Sequence, residues 1–267
     1  MTIHKTAVVD SAAEIDTTVE IGPYAIIEGK VKIAAGTRVM AHAYITSNTT
    51  IGPDNVIHPF AVLGHIPQDL GYRGEESYLR IGRGNVFREG CSVHRGSTEG
   101  SATLIGDRNF LMGYCHIGHD CIIGNEVIIA NGVLLAGHVH IDDKVFLSGN
   151  AVVHQFVDIG SLTMIGGGAK VTNGVPPYMM LVERSQIVGM NIVGMRRAGV
   201  SPDERRRIKE AYKILYRSGH NITRAVEEIE KRELGDGATA IVDFIRRSRR
   251  GVCRHSGIGT AATQKYI

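Results

Sequence analysis

The sequence of 267 residues contains no tryptophan, and aromatic residues make up only 6% of it. This composition excludes a core built on large aromatic anchors. The 33 glycines instead favour tight turns and stacked aliphatic side chains. The net charge of +3 is too small to indicate a nucleic-acid-binding protein, so we expect no nucleic-acid partner.

Long apolar runs and paired cysteines are also missing. No apolar segment reaches the length of a membrane span, and the first residues, MTIHKTAVVD, lack the features of a signal peptide. The cysteines show neither CxxC spacing nor the pattern of a small secreted domain (Cys91, Cys115, Cys121, Cys253). We therefore expect a cytoplasmic protein without integral membrane association, whose cysteines are reduced thiols in or near the core.

An aliphatic residue recurs at every sixth position through most of the first two thirds of the chain. A period of six fits neither a single helix nor a lone strand, whose periods are 3.6 and 2. It predicts a three-sided coil of about eighteen residues per turn, in which each hexapeptide forms a short strand and the coils stack. The repeat positions hold Val9, Ile15, Ile21, Ile27, Ile33, Val39, Ile45, Ile51, Ile57 and Leu63, then Ile81, Phe87 and Val93, and finally Ile105, Leu111, Ile117, Ile123, Ile129, Leu135, Ile141, Leu147, Val153, Ile159, Ile165 and Val171.

The repeat pattern also predicts the domain organisation. We expect a β-helix domain over residues 1–188, a small α-helical domain over 189–253 and a disordered tail over 254–267. The first helix should follow Ser201, with Glu204 completing a capping box, and end at Gly219. Two further helices are predicted over 222–234 and 238–249.

Arginines are concentrated in this C-terminal part of the chain. Such a cluster is either a solvated helix face or a docking surface for an acidic partner or a diphosphate. The residues are Arg196, Arg197, Arg205, Arg206, Arg207, Arg246, Arg247, Arg249 and Arg250.

Two interruptions break the repeat, at residues 64–80 and 96–103. Loops that leave an otherwise strict solenoid are candidates for substrate contact, and the first one carries Asp69. The alternative is that both are neutral surface insertions.

Histidines are the most informative residues for chemistry. With about eighteen residues per coil, His119 lies one coil from position 137 and two coils from position 155. His138 and His154 are each one residue from these points, so we expect the three imidazoles to stack about 5 Å apart at one corner, with His116 just upstream. Three interpretations of these histidines are open. They are incidental surface residues, or they bind zinc, or one of them is a general base while the others position the substrate. In the third case Asp120 could orient the ring of His119. No further carboxylate or cysteine is in obvious register, which disfavours zinc.

Eight short segments have a distinctive composition, order and spacing. They are PQDL (67–70), HRG (94–96), HIGHDC (116–121), LAGHV (135–139), AVVHQF (151–156), VPPY (175–178), NIVGMRR (191–197) and AYKILYRSG (211–219). Together they resemble the UDP-N-acetylglucosamine O-acyltransferases of lipid A synthesis, over residues 1–252. The resemblance implies a left-handed parallel β-helix, although parallel crossovers are right-handed in almost all other folds.

The resemblance also implies the reaction. His119 is the general base that deprotonates the glucosamine 3-hydroxyl of UDP-N-acetylglucosamine, and Asp120 orients it. The hydroxyl attacks the thioester of a hydroxyacyl chain on acyl carrier protein without an acyl-enzyme, a cofactor or a metal. The backbone N–H of Gly137 stabilises the oxyanion.

The remaining site residues are carried over in the same way. Gly167 lies where the family sets acyl chain length, and a glycine there predicts a long chain. Family members are homotrimers with active sites between subunits, and their helical domain helps to dock the carrier protein. The residues that fall where the family contacts the nucleotide sugar or the acyl hydroxyl are Asp69, His116, His138, His154, Gln155, Asn191 and Arg197.

Three positions depart from the family pattern. Many relatives have lysine at Gly71, glutamate at Val193 and arginine at Ala198, so polar contacts to the nucleotide sugar are lost here. N-acyl transfer to a 3-amino sugar nucleotide is therefore an alternative. Two further alternatives are a zinc hydrase, which would use the histidines as ligands, and a non-catalytic protein that binds acyl carrier protein through its arginine face.

Overall fold

A computed structural model describes residues 2–256 of the chain, and it begins as a stack of short strands. The first half of the stack consists of β1 Thr2–Ile3, β2 Val8–Val9, β3 Glu14–Ile15, β4 Glu20–Ile21, β5 Ile26–Ile27, β6 Val31–Ile33, β7 Arg38–Val39, β8 Tyr44–Ile45, β9 Thr49–Ile51, β10 Val56–Ile57, β11 Val62–His65, β12 Tyr78–Ile81 and β13 Val86–Phe87. The second half consists of β14 Ser92–His94, β15 Ala102–Ile105, β16 Phe110–Leu111, β17 His116–Ile117, β18 Ile122–Ile123, β19 Ile128–Ile129, β20 Leu134–Leu135, β21 His140–Ile141, β22 Phe146–Leu147, β23 Val152–Val153, β24 Asp158–Ile159, β25 Met164–Ile165 and β26 Lys170–Val171.

The C-terminal part adds three strands and four helices. The strands are β27 Met179–Val182, β28 Gln186–Met190 and β29 Arg254–His255, and the helices are α1 Ile192–Arg197, α2 Pro202–Arg217, α3 Ile222–Lys231 and α4 Asp236–Arg247.

Successive strands turn around three sides of a prism. Every third strand belongs to the same sheet: sheet A runs from β1 through β4 and β7 to β25 and then β27, β28 and β29, sheet B from β2 to β26, and sheet C from β3 to β24. The pairs are parallel, except for the antiparallel hairpin β27–β28. This architecture confirms the predicted left-handed parallel β-helix with a small helical domain.

The repeat residues form the core of the prism. Ile117, Leu135 and Val153 are register partners on three successive coils, and each is 3% exposed or less. Stacking them removes their side chains from water, which stabilises each by roughly 1.5–3 kcal/mol. A single coil cannot bury this face, so stability depends on the stack.

The corners between sheets need a left-handed backbone residue. Asp120, His138 and Phe156 occupy equivalent corners of three coils, with φ of 58°, 60° and 63°. Residues with a side chain adopt this conformation at some cost, which the stacked coils must offset. This geometry places the side chains of Asp120, His138 and Phe156 on successive coils along one edge of the prism.

The helices agree with the predictions except at their ends. Ser201 caps α2 by accepting a hydrogen bond from the Glu204 N–H at 3.1 Å. The capping box is only half formed, because the Glu204 carboxylate accepts from the N–H of Gly237, at 2.7 Å. The predicted second helix ends earlier, at Lys231, and the third begins earlier, at Asp236. Helix α1 was not predicted.

The predicted disordered tail is wrong for its first residues. Arg254 and His255 form β29, which pairs in parallel with β28 of sheet A. Residues 257–267 of that prediction lie outside the described residues. Strand β28 runs to Met190, so it crosses the predicted boundary after residue 188, and the division into two domains remains a proposal.

The four cysteines are free thiols and all are buried, as predicted. Sγ of Cys115 lies 3.3 Å from Sγ of Cys91 on the neighbouring coil.

Among residues 2–256, none of the helices has both the length and the apolar character needed to cross a bilayer.

Candidate active site

His119 and Asp120 form a hydrogen-bonded pair at the corner between sheets B and C. The chain reaches this corner directly after β17. Nδ1 of His119 lies 2.9 Å from Oδ2 of Asp120, and the His119 side chain is only 7% exposed. With its Nδ1–H directed at the carboxylate, the ring presents the Nε2 lone pair to a substrate.

The second insertion supplies further hydrogen bonds to Asp120. The hydroxyl of Ser97 donates to Oδ2 at 2.6 Å, and the Ser97 N–H donates to the same oxygen at 3.1 Å. Burial alone would raise the pKa of Asp120, but hydrogen bonds from His119 and Ser97 outweigh it and hold that pKa well below its usual range. Sequence reasoning missed Ser97. Its only signal was a position inside an insertion that opens directly after the HRG segment.

The first insertion reaches the same corner. Oδ2 of Asp69 lies 3.7 Å from Nε2 of His119, and Oδ1 accepts from the N–H of Gly71 at 2.7 Å. Both interruptions of the repeat therefore bring a side chain to the His119–Asp120 pair. The six-residue repeat could not predict that the Asp69 carboxylate lies beside His119, because Asp69 is in an insertion that does not follow the repeat.

Gly137 lies directly against the imidazole of His119, one coil further on. A Cβ at this position would be 2.5 Å from Cε1 and Nε2 of His119. Among residues 2–256, the N–H of Gly137 has no hydrogen-bond acceptor, whereas the neighbouring His138 N–H donates to the His119 carbonyl. A free N–H beside a base is the arrangement that an oxyanion needs.

The predicted stack of three histidines is only partly correct. His138 does meet His119 edge to face, with ring centroids 5.1 Å apart. The His138 ring also stacks on Phe156, with centroids 4.6 Å apart, and within residues 2–256 no ring contact joins His154 to them. The physical reason is register. His138 and Phe156 share the left-handed corner position, whereas His154 falls two residues before it.

His154 and Gln155 are exposed at the same edge, one coil beyond His138. Nδ1 of His154 lies 3.2 Å from the carbonyl oxygen of Gln155. Burial lowers the pKa of His138, although the Asp120 carboxylate opposes this shift. The edge therefore carries His119 and three polar side chains on adjacent coils.

His116 lies on sheet B, three residues before His119. Its pKa is lowered by burial and then by the neighbouring His119. Ser92 and His94, on the preceding coil of the same sheet, both contact its ring.

Asn191 and Arg197 lie elsewhere, in a cavity of about 840 Å³ between the outer face of sheet A and the helices. Val193 and Ala198 line it as well. Five cationic side chains and one carboxylate surround an apolar floor, and the cations are Lys144, Arg197, Lys209, Lys213 and Arg217.

Asn191 has a local role in this cavity. Its Oδ1 accepts from the N–H of Gly194 at 2.9 Å and caps α1, while its Nδ2 donates to the carbonyl of Leu162 at 2.8 Å. The cavity opens on sheet A, and the His119 corner joins sheets B and C. The two regions are therefore on opposite sides of the same prism.

Gly167 is exposed at a corner between sheets A and B, after β25 and before β26. A Cβ there would be 3.5 Å from the Gly149 carbonyl oxygen and 4.0 Å from Ser148 Cβ, which are ordinary contacts. A larger residue would fit the fold and extend outward.

His119, Asp120 and His138 could each offer one atom to a metal ion, because these atoms lie within 4.8 Å of one another. However, Oδ2 of Asp120 already accepts from His119 and twice from Ser97. These hydrogen bonds fit a carboxylate that orients a general base better than a carboxylate that binds a metal ion.

Two family models match the chain. The one described as Bacterial transferase hexapeptide (six repeats) matches residues 30–65 and 102–137, within the β-helix. The one described as Udp N-acetylglucosamine O-acyltransferase; Domain 2 matches residues 175–253, the C-terminal part.

Full-length relatives and solved structures agree with these matches. A protein of Thermodesulfovibrio yellowstonii named acyl-(acyl-carrier-protein)–UDP-N-acetylglucosamine O-acyltransferase is 44% identical over 256 residues, 94% of this chain and 99% of that protein. The structure of the UDP-N-acetylglucosamine acyltransferase of Francisella novicida superimposes with a TM-score of 0.93 at 39% identity, covering 98% of both chains. A structure from Acinetobacter baumannii has a TM-score of 0.91 at 42% identity and covers 95% of this chain and 100% of that one.

Proposed function

Because the chain belongs to the UDP-N-acetylglucosamine O-acyltransferase family, we propose that it transfers a long (R)-3-hydroxyacyl chain from acyl carrier protein to the 3-hydroxyl of UDP-N-acetylglucosamine, the first step of lipid A synthesis. The observation that carries this proposal is the His119–Asp120 pair beside the Gly137 N–H, which has no acceptor within residues 2–256. We also assign the protein to the cytoplasm, where acyl carrier protein is available.

Each of these three residues has a defined role in the proposed reaction. Nε2 of His119 takes the proton from the sugar hydroxyl, and the hydroxyl oxygen attacks the thioester carbon. The Gly137 N–H donates to the resulting oxyanion. When the C–S bond breaks, the carrier thiol leaves with the proton from His119. Asp120 stabilises the imidazolium between these two proton transfers.

We propose a homotrimer in which neighbouring chains complete the site. The cavity with Arg197 faces away from the His119 corner of its own chain. A single nucleotide sugar can contact both regions only if they come from two copies packed side by side. In this arrangement Arg197 binds the diphosphate and the edge with His138, His154 and Gln155 binds the sugar or the acyl hydroxyl.

The helical domain is the proposed dock for the carrier protein. Lys209, Lys213 and Arg217 follow one another along one face of α2 at intervals of one turn, and all three border the basic cavity. Acidic groups on a carrier protein would be steered to this ridge by charge.

Mass spectrometry of the product tests the reaction directly. The purified protein is given a mixed pool of hydroxyacyl carrier proteins with UDP-N-acetylglucosamine and, separately, with its 3-amino analogue. We expect a 3-O-acyl ester with a long chain. An amide formed in preference would support the alternative acceptor, and carrier binding without transfer to either sugar would support a non-catalytic role.

The base assignment needs its own pair of variants. His119→Ala should lower kcat by about 10²–10⁴ without altering the oligomer, whereas His4→Ala, at an exposed position of the first coil, should leave kcat unchanged. A wild-type rate in His119→Ala would refute the mechanism. Stoichiometric zinc in protein purified without a chelator would instead favour the hydrase alternative.

A further inference from the structure

Strand β14 places two side chains against His116, and the proposed reaction gives neither of them a role. Ser92 is the register partner of His116 in sheet B, so the two side chains point outward side by side on adjacent coils. Oγ of Ser92 lies 2.8 Å from Nδ1 of His116. The ring of His94 meets the His116 ring edge to face, with centroids 4.8 Å apart.

The direction of the Ser92–His116 hydrogen bond follows from the available acceptors. Among residues 2–256, Nδ1 of His116 is the acceptor within reach of the Ser92 hydroxyl hydrogen. The lowered pKa of His116 means that its ring is neutral at pH 7 and carries one N–H. If Nδ1 accepts from Ser92, that hydrogen is on Nε2.

His94 keeps the surroundings of His116 uncharged. It is 6% exposed, and its Nδ1 has no partner within the described part of the chain. Burial, followed by the neighbouring His116, lowers the pKa of His94 to about 4. A neutral ring on one side and a hydroxyl on the other leave His116 little freedom to rotate or to change tautomer.

We infer that Ser92 is a positioning residue that holds His116 as the Nε2–H tautomer, so that His116 donates a hydrogen bond to an oxygen of the substrate. This arrangement gives His119 and His116 different functions. His119, paired with a carboxylate through Nδ1, presents a lone pair, whereas His116, paired with a hydroxyl, presents an N–H. The inference rests on the proposed function only for the identity of the substrate.

The tautomer can be measured without any assay of activity. In protein labelled with ¹⁵N in the histidine rings, the His116 signals are assigned by their loss in His116→Ala. We expect the nitrogen without hydrogen to be Nδ1 in the wild type, a mixture of tautomers in Ser92→Ala, and the wild-type pattern in Ser92→Thr. Thr50→Ala, which removes an exposed hydroxyl from sheet C, is the control that should change nothing.

Kinetics test whether the tautomer matters for the substrate. Loss of one neutral hydrogen bond should lower kcat/KM by about fivefold in Ser92→Ala, and Ser92→Thr should recover it. In a His116→Ala background, removing the Ser92 hydroxyl should cause no further loss, because its effect passes through His116.

Any of three outcomes would overturn the inference. One is a hydrogen on Nδ1 of His116 in the wild type, and another is equal activity of Ser92→Ala and Ser92→Thr. The third is a loss of activity on Ser92→Ala in the His116→Ala background that is as large as in the wild type. Failure of the wild type to transfer any acyl group would refute the proposed function instead. The ring spectrum would then still decide the tautomer.

Discussion

The imidazole of His119 occupies the space that a side chain on Gly137 would need. A Cβ at 137 would lie 2.5 Å from both Cε1 and Nε2 of the ring, and 3.1 Å from Cδ2. The base and the proposed oxyanion donor are thus held in contact by the stacking of two coils. Their separation depends on the spacing between neighbouring strands, which is nearly constant in a parallel sheet.

Gly137→Ala should therefore damage catalysis more than folding. The added methyl group must push the His119 ring away from its position, and a misplacement of about 1 Å can lower turnover by about a hundredfold. We expect kcat to fall while KM for the nucleotide sugar changes little, as measured in steady-state acyl transfer. A variant that keeps normal kcat with an intact oligomer would show that this contact does not position the base.

Arg197→Ala should weaken binding of the nucleotide sugar. A charge-assisted hydrogen bond to a diphosphate contributes about 1.5–3 kcal/mol, so we expect KM to rise by about tenfold to a hundredfold with a smaller change in kcat. Arg196→Ala is the matched control, because Arg196 is also exposed on α1 but does not line the cavity. Equal effects of the two substitutions would indicate a general loss of positive charge.

Gly167→Met should shorten the preferred acyl chain. The position has room for a side chain, which would extend into the space outside the corner where the end of a long chain is proposed to lie. In competition between long and short hydroxyacyl carrier proteins, the product spectrum should move to shorter chains while total turnover with short donors is retained. An unchanged chain-length distribution would place the acyl groove elsewhere.

His94 should make the protein less stable in acid. Its pKa is lowered from 6.5 to about 4, chiefly by burial, so between these values the unfolded chain binds a proton that the folded chain does not. Acidification through this window therefore favours unfolding, by at most about 1.4 kcal/mol per pH unit. Equilibrium unfolding by denaturant at pH 7 and pH 5 should show a smaller loss of stability for His94→Gln than for the wild type. Equal losses would contradict this assignment.

The repeat in the sequence was sufficient to predict the coil, its three sides and its core. Apart from Val9 and Ile15 on the first coil, which are half-buried, the repeat residues are buried for a local reason, namely an apolar side chain at a fixed interval, so one sequence carries the signal many times. The Ser201 cap of α2 was predictable for a similar reason, because both partners lie within one helical turn. The ends of α3 and α4, and the short helix α1, have weaker local signals and were misplaced or missed.

The sequence by itself also determined that His119, His138 and Gly137 would meet at one edge, since periodicity places residues about eighteen apart on adjacent coils. Only the tertiary structure decided which ring stacks on which, because a shift of one residue at a corner turns the side chain elsewhere. It also showed that Asp69, a site residue already predicted, and Ser97, which was not, reach the His119–Asp120 pair from the two insertions that interrupt the period. Contacts made by inserted loops depend on the path of the backbone in space, and a repeat carries no information about that path.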